Sequence, residues 1–135
     1  MEIRQLGITD KKILVADDDK NMRFLLSYFL TTEGFEVVTT TDGEEAWKIF
    51  LEDVYDLVIT DFQMPGINGL RLAANIKERR PGTTVILMSG FDLEQIQDTS
   101  ESQNIDHFLP KPFKGNEMRE IVLRTFDTVL SVHGG

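Results

Sequence analysis

Residues 56–69 have the sequence DLVITDFQMPGING, and this stretch decides how the chain is organised. The run from Leu57 to Thr60 is typical of a buried β-strand, and turn-forming residues follow it at once. Between them lies Asp61, a carboxylate at the very end of the apolar run. Because charging an acid at the end of a buried strand costs free energy, this position indicates a partner cation, a metal ion or a chemical role.

The composition is that of an ordinary globular protein. The chain has 135 residues, of which 41% are hydrophobic and 27% charged, enough for one domain with its own core. It contains no cysteine, which excludes disulfides, thiolate metal sites and cysteine nucleophiles. We expect no membrane span, no secretory leader and a cytoplasmic location. The net charge of -9, without a long basic run, predicts no direct binding to nucleic acid.

Strand-like and helix-like segments alternate along the chain. Strands are predicted over 11–16 (KKILVA), 35–41 (FEVVTTT), 56–60 (DLVIT), 84–88 (TVILM) and 106–109 (DHFL). Helices are predicted after each strand, over about 21–33, 42–50, 68–80, 92–103 and 115–130. The apolar face of the first helix is expected at Met22, Leu25, Leu26 and Phe29. This alternation predicts an α/β fold, with a parallel sheet, right-handed crossovers and helices on both faces.

The apolar character of each strand predicts the strand order. The first, third and fourth strands are the most uniformly apolar, so we expect them at the centre with both faces covered. The order 2-1-3-4-5 agrees with this ranking and is an established order of doubly wound, flavodoxin-like sheets. Ligands of such sheets bind beyond the carboxyl ends of the strands, where the first and third strands diverge. Asp61 is therefore expected where ligands bind.

Polar side chains follow the carboxyl ends of four predicted strands. They are Asp17, Asp18 and Asp19 after the first, Asp61 after the third, Ser89 after the fourth and Lys111 after the fifth. Crowded carboxylates resist ionisation unless a cation joins them, and oxygen ligands alone favour a hard cation such as Mg²⁺. A lysine and a hydroxyl can bind an anion attached to Asp61. These are the parts needed to transfer a phosphoryl group to an aspartate.

Four segments resemble the motif set of response-regulator receiver domains, the chemotaxis-regulator-like modules of two-component signalling. They are ILVADDD (13–19), VITDFQMPGINGL (58–70), ILMSG (86–90) and FLPKPF (108–113), in the family's order and spacing. The resemblance covers essentially residues 12–131. We therefore divide the chain into an N-terminal extension (1–11), a receiver domain (12–131) and a C-terminal tail (132–135).

The resemblance implies that Asp61 takes a phosphoryl group from a histidine of a sensor kinase or of a histidine phosphotransfer protein. The family's positions are occupied here by Asp17, Asp18, Asp61 and the backbone carbonyl of Gln63 for Mg²⁺, by Lys111 for pairing with the phosphoryl group, and by Ser89 and Phe108 for the switch. The chain would then be no enzyme, apart from catalysing its own phosphorylation and dephosphorylation.

Several residues near these motifs depart from the family pattern or have simpler roles. Phe108 replaces a frequent tyrosine, so it offers no hydroxyl. Asn68 replaces an acid but is still able to cap the third helix. Lys114 is a poor N-cap and is expected to loosen the start of the last helix. We expect Asp19 to cap the first helix rather than bind metal, and the Asp42–Glu45 stretch to form a capping box.

The output surface is expected around the fourth helix, because that helix has only Leu93 and Ile96 as apolar anchors and should be the least stable one. Together with the fifth strand and fifth helix it is expected to bind a downstream protein partner or a second copy. The chain is either a stand-alone receiver or the receiver of a longer regulator.

Three other classes of protein are alternatives. A flavodoxin-type FMN carrier needs phosphate-binding groups in its first loop, where this chain has the Asp17–Asp19 stretch. A P-loop nucleotidase needs a G-x-x-x-x-G-K-[ST] motif, which is missing. A Mg²⁺-dependent phosphatase with an aspartate nucleophile is chemically nearer, although its nucleophile would follow the first strand. Turnover of a phosphoester would distinguish it from a receiver.

Overall fold

The computed structural model describes residues 10–90 and 93–126. Its strands and helices, in chain order, are β1 (Lys12–Ala16), α1 (Lys20–Thr32), β2 (Glu36–Thr40), α2 (Gly43–Glu52), β3 (Leu57–Asp61), α3 (Gly69–Arg79), β4 (Thr84–Ser89), α4 (Leu93–Gln97), a 3-10 helix (Ser100–Asn104), β5 (His107–Pro110) and α5 (Gly115–Thr125). The strands form one parallel sheet in the order β2-β1-β3-β4-β5. The predicted strand order is confirmed.

Each central strand buries both of its faces. Along β1, Ile13 and Val15 belong to a cluster that also contains the buried residues of α1 and α5, whereas Leu14 and Ala16 belong to the cluster of α2 and α3. Successive side chains of a strand point to opposite faces, so a continuous apolar run is what two helical layers require. The edge strands β2 and β5 are only partly buried, as their more polar sequences predict.

The first helix differs in one respect from its predicted apolar face. Leu26 and Leu30, one turn apart, are fully buried against the sheet. Leu25 lies about 100° around the helix from Leu26, and its side chain is 38% exposed. The prediction that Leu25 belongs to the buried face is therefore wrong.

The fourth helix is shorter than predicted. A single helix over 92–103 is replaced by the five-residue α4 and a separate 3-10 helix, and Asp92 lies outside the described residues. Hydroxyl groups interrupt the segment, because Thr99 donates to the Ile96 carbonyl at 2.7 Å and Ser102 donates to the Gln97 carbonyl at 2.9 Å. Such bonds occupy carbonyls that an α-helix would pair with amides. Ile96 is buried, as expected of an anchor.

The predicted caps at Asp19, Asp42 and Asn68 are confirmed, but the predicted capping box at α2 is only half formed, because the Glu45 carboxylate accepts the Thr41 N–H at 2.7 Å and not the Asp42 N–H. The side chains of Asp19, Asp42 and Asn68 accept N–H groups of their helices at 3.0, 2.7 and 2.9 Å. Lys114 caps α5 without a side-chain bond, but the Glu117 carboxylate accepts the Lys114 N–H at 2.7 Å. The start of α5 thus keeps half of a capping box. The part of the predicted last helix beyond residue 126, including Val129, lies outside the described residues. Each helix in the described part of the chain is too short or too polar to traverse a lipid bilayer.

Candidate cation and phosphoacceptor site

Asp17 is held rigidly at the end of β1. Its side chain is fully buried, and its two carboxylate oxygens accept the Lys111 ammonium at 3.0 Å and the Asp19 N–H at 2.9 Å. Its backbone N–H donates to the Thr40 carbonyl at 3.1 Å, and its carbonyl accepts the Arg23 guanidinium at 2.9 Å. Because both carboxylate oxygens, the N–H and the carbonyl of this buried residue are hydrogen-bonded, Asp17 has little freedom to move.

Asp61 lies beside Asp17 at the end of β3. Its side chain is only 13% exposed, and one carboxylate oxygen lies 3.3 Å from the Lys111 Nζ and accepts the Phe62 N–H at 3.0 Å. Carboxylate oxygens of Asp17, Asp18 and Asp61 all lie within 4.8 Å of one another. The carboxyl ends of β1, β3 and β5 therefore bring together the three acids and the lysine that the sequence singled out.

The electrostatics of the site favour an added cation. Burial raises the pKa of Asp61 above its ordinary value, and the Asp17 carboxylate raises it further, while Lys111 offsets only part of the effect. Burial lowers the pKa of Lys111, but its contacts with the Asp17 and Asp61 carboxylates raise that pKa more, so the lysine stays charged. One ammonium thus contacts two of three clustered carboxylates. The net negative charge makes this a site for a positive ion.

The donor set fits Mg²⁺. The three acids offer oxygen ligands only, which is the preference of a hard divalent cation. The exposed Asp18 and the largely buried Asp61 border an open cleft of about 590 Å³, lined by Asp18, Asp61, Phe62, Gln63, Met64, Pro65 and Asn68. The cleft has room for the water molecules that Mg²⁺ usually retains. Gln63 lines the same cleft, which is where its predicted role as a carbonyl ligand requires it to be.

Ser89 and Phe108 flank this group on β4 and β5. Ser89 is buried at the end of β4, one residue beyond Met88, the partner of Asp61 in the sheet, and its carbonyl accepts the Lys111 N–H at 2.8 Å. Phe108 is half-buried and packs against the cluster of α2 and α3. The structure thus places Ser89 beside the strand end that carries Asp61, while Phe108 lies on the edge strand.

Two residues of the site are absent from the sequence prediction. Arg23 donates to the Asp17 carbonyl. A Cβ on Gly69 would lie 2.4 Å from the Asp61 carbonyl oxygen, so only glycine lets α3 begin so close to β3. The position of Gly69 just after a turn and at the start of a helix was the available signal, whereas nothing local distinguishes Arg23 from a surface arginine.

The crowding of carboxylates predicts the effect of Asp61→Asn on stability. Since the folded-state pKa of Asp61 is raised, its charge destabilises the metal-free fold at neutral pH. We expect Asp61→Asn to raise the melting temperature in a chelator by a few degrees, Asp18→Asn to do so to a smaller extent, and both to respond less to Mg²⁺.

The gain should shrink as the pH falls through the raised folded-state pKa of Asp61 and vanish below about 4, because the carboxyl is then protonated in folded and unfolded chains alike. Calorimetry in a chelator at neutral and acidic pH measures the change in melting temperature. Asp10→Asn, at an exposed acid near the other end of β1, is the control. Lower melting temperatures for both site variants would contradict the crowding argument.

The fold and the site define a doubly wound parallel α/β domain with an acidic cation site at the carboxyl ends of β1 and β3. A family model described as the response regulator receiver domain matches residues 13–123. The chain therefore belongs to the response-regulator receiver-domain family of two-component signalling, as the four motifs indicated.

The proteins to which this chain is similar support the same family assignment. The chain is 38% identical to the response regulator TrrA of Thermotoga maritima, crystallised with Mg²⁺–BeF, with a TM-score of 0.79 over 85% of this chain and 98% of that one. It is 32% identical to sporulation initiation phosphotransferase F of Bacillus subtilis over 84% of this chain and 91% of the relative. It is 36% identical to the DNA-binding transcriptional regulator NtrC of Azospirillum brasilense, over 86% of this chain but only 24% of the relative.

Proposed function

We propose that Asp61 accepts a phosphoryl group from the phosphohistidine of a sensor kinase or of a histidine phosphotransfer protein. The observation that carries this proposal is the position of the Lys111 ammonium, 3.3 Å from Asp61 and 3.0 Å from Asp17, within a cluster of three carboxylates. An oxygen of Asp61 attacks phosphorus, the phosphorus–nitrogen bond to histidine breaks, and the electron pair leaves with the imidazole, which is then protonated. The product is an acyl phosphate on Asp61.

Each neighbouring residue has a part in this transfer. Asp17, Asp18, Asp61 and the Gln63 carbonyl would hold Mg²⁺. The ion supplies positive charge to the phosphoryl oxygens when it is bound. Lys111 pairs with the phosphoryl group, and the Ser89 hydroxyl donates to one of its oxygens.

Known relatives support the metal and the phosphodonor. A crystal structure of TrrA is described as a complex with Mg²⁺–BeF, and another as a complex with the histidine kinase ThkA, at 38% identity to this chain. The full-length NtrC relative is described as DNA-binding, but the match covers 24% of its length, so our expectation that this domain does not bind nucleic acid directly stays a prediction.

Incubation with Mg²⁺ and a small phosphodonor, such as acetyl phosphate, tests the proposal. A receiver retains one labile phosphoryl group per chain, which hydroxylamine removes. The alternative, a Mg²⁺-dependent phosphatase with an aspartate nucleophile, would instead turn over a phosphoester substrate without accumulating the adduct. Phosphoester turnover without a retained adduct would overturn the proposal.

We also propose that the surface of α4, β5 and α5 changes on phosphorylation and binds a downstream protein partner or a second copy of the chain. The phosphoryl group would lie next to Ser89 and Lys111, which begin the segments leading to α4 and α5. Drawing Ser89 toward it would open space for the half-buried Phe108 ring to rotate inward. Because α4 has only five residues and one buried anchor, Ile96, a bias of a few kcal/mol is enough to shift it.

Hydrogen exchange with beryllofluoride as a stable phosphoryl mimic tests this switch. We expect amides in residues 93–113 to change protection, while the central strands β1 and β3 keep theirs. The Asp61→Asn variant with the same reagent is the control and should show no change. Equal protection of residues 93–113 in both states, with a change on another surface, would refute the proposed switch.

A further inference from the structure

The loop between β3 and α3, residues 62–68, rests directly on the backbone of α2. A Cβ on Gly43, the first residue of α2, would lie 2.2 Å from the Ile67 carbonyl oxygen and 2.6 Å from the Ile67 Cγ1. These distances are far below van der Waals contact. The loop that lines the Asp61 cleft is thus fixed at one end by β3 and near the other by the start of α2.

The segment that leads into α2 also contacts the Asp17 side of the site. The Thr40 carbonyl accepts the Asp17 N–H at 3.1 Å, and the Thr40 hydroxyl donates to the Val15 carbonyl at 2.9 Å. The Glu45 carboxylate accepts the Thr41 N–H at 2.7 Å instead of the Asp42 N–H that a capping box would use. Together with the Asp42 cap, these bonds hold residues 40–45 in one arrangement.

We propose that residues 40–44, which supply no ligand to the cation, set the separation between the two loops that do, and that Gly43 is a positioning residue of the site. Asp17 is attached to this segment through Thr40, and the loop with Gln63 is attached to it through the contact of Gly43 with Ile67. The inference rests on the Mg²⁺ site in the proposed function. A larger residue at position 43 would displace Ile67 and so change the position of the loop relative to Asp18.

The variant Gly43→Ala tests this role. Because the atom in its way belongs to the Ile67 backbone, a side-chain rotation does not relieve the contact. We expect the Kd for Mg²⁺, measured by titration of amide chemical shifts, to rise about tenfold, as for loss of other residues that orient metal ligands. Helix propensity alone would favour alanine, so a loss of affinity is not a propensity effect.

Two glycines of the same chain provide matched controls. A Cβ on Gly82 meets nothing within 4 Å, so Gly82→Ala should leave both the melting temperature and the Kd for Mg²⁺ unchanged. A Cβ on Gly115 would lie 2.4 Å from the Phe29 ring, at the contact between α5 and α1. Gly115→Ala should therefore lower the melting temperature and leave the Kd unchanged. Comparison of the three variants therefore distinguishes an effect on the Kd for Mg²⁺ from an effect on the melting temperature.

A second variant keeps the test decisive if Gly43→Ala does not fold. Ile67→Ala removes the side-chain half of the contact without a clash and should also weaken Mg²⁺ binding. Ile121→Ala is its control, because Ile121 is likewise half-buried but packs in the cluster of α1 and α5. If both variants fold and bind Mg²⁺ with the wild-type Kd, Gly43 is not a positioning residue. If Gly43→Ala is unfolded, a wild-type Kd of Ile67→Ala alone overturns the positioning role. Failure of the wild-type chain to bind Mg²⁺ would instead refute the proposed function.

Discussion

The Asp61→Asn variant is expected to form no phosphoryl adduct with a small phosphodonor and Mg²⁺. Asp61 is the acid that ends β3, lies 3.3 Å from the Lys111 ammonium and borders the open cleft. Asparagine has nearly the same shape but no carboxylate to attack phosphorus. Intact-mass spectrometry of the two proteins after the same incubation measures the difference directly, and chelation of Mg²⁺ should abolish the wild-type adduct as well.

Two comparisons make this result specific to Asp61. Asp10→Asn, at an exposed acid before β1, should retain wild-type labelling. Asp18→Asn should be labelled slowly and respond to higher Mg²⁺ concentrations, because it loses a ligand and keeps the nucleophile. An undiminished adduct on Asp61→Asn would move the phosphoacceptor to another residue.

Lys111→Met is expected to destabilise the metal-free protein by about 3 kcal/mol at neutral pH, because removing one partner of a buried ion pair leaves the other charge uncompensated. The lysine is 20% exposed, and the Asp17 carboxylate that it contacts is fully buried. Without it, the contribution that lowers the pKa of Asp61 is lost, so this pKa rises further above its unfolded value. Mg²⁺ should restore much of the lost stability by supplying positive charge.

The stability lost in Lys111→Met depends on pH with a definite sign. The charged form of Asp61 is disfavoured in the folded variant, so the variant loses stability as the pH rises through the raised pKa. The difference in the free energy of unfolding between wild type and variant should be largest near neutral pH. It should decrease toward about pH 4, where the carboxyl becomes protonated in the folded and unfolded chains. Urea unfolding in a chelator at several pH values, repeated with Mg²⁺, measures this difference.

Lys77→Met is the matched control for this prediction. Lys77 is 19% exposed and pairs with Asp106 at 2.7 Å, but this carboxylate is 40% exposed and lies at the opposite end of the sheet. Water screens such a pair, so Lys77→Met should lower the free energy of unfolding by about 1 kcal/mol or less. Mg²⁺ should not change this difference. Equal losses in the two variants, with no response of Lys111→Met to Mg²⁺, would show that Lys111 is an ordinary surface cation.

The strand order and the main residues of the site were predictable because each depends on a local pattern. Three uniformly apolar strands, the first, third and fourth, have to be central, and β1, β3 and β4 are. Asp17 and Lys111 each directly follow a strand, and Asp61 is the last residue of one. In a parallel sheet all carboxyl ends lie at one edge, so residues far apart in the chain must meet there.

Other features depended on contacts that no local pattern specifies. Leu25 has the spacing of a buried residue but lies beside the buried face of α1. The helix predicted over 92–103 is divided because the Thr99 and Ser102 hydroxyls occupy its carbonyls, and whether a hydroxyl bonds to its own backbone depends on how the segment packs. The role of Arg23 likewise requires the carbonyl of Asp17 to point toward α1.

The amino-acid sequence by itself determined the alternation of strands and helices, the order of the sheet and the edge at which Asp17, Asp61 and Lys111 meet. Those features follow from side-chain polarity and chain connectivity, which are properties of short segments. Only the tertiary structure decided that Asp17 is fully buried, that Lys111 lies between two carboxylates, and that Gly43 is in contact with the Ile67 backbone. These depend on distances of a few ångströms between backbones remote in sequence, which are set when the helical layers pack on the sheet.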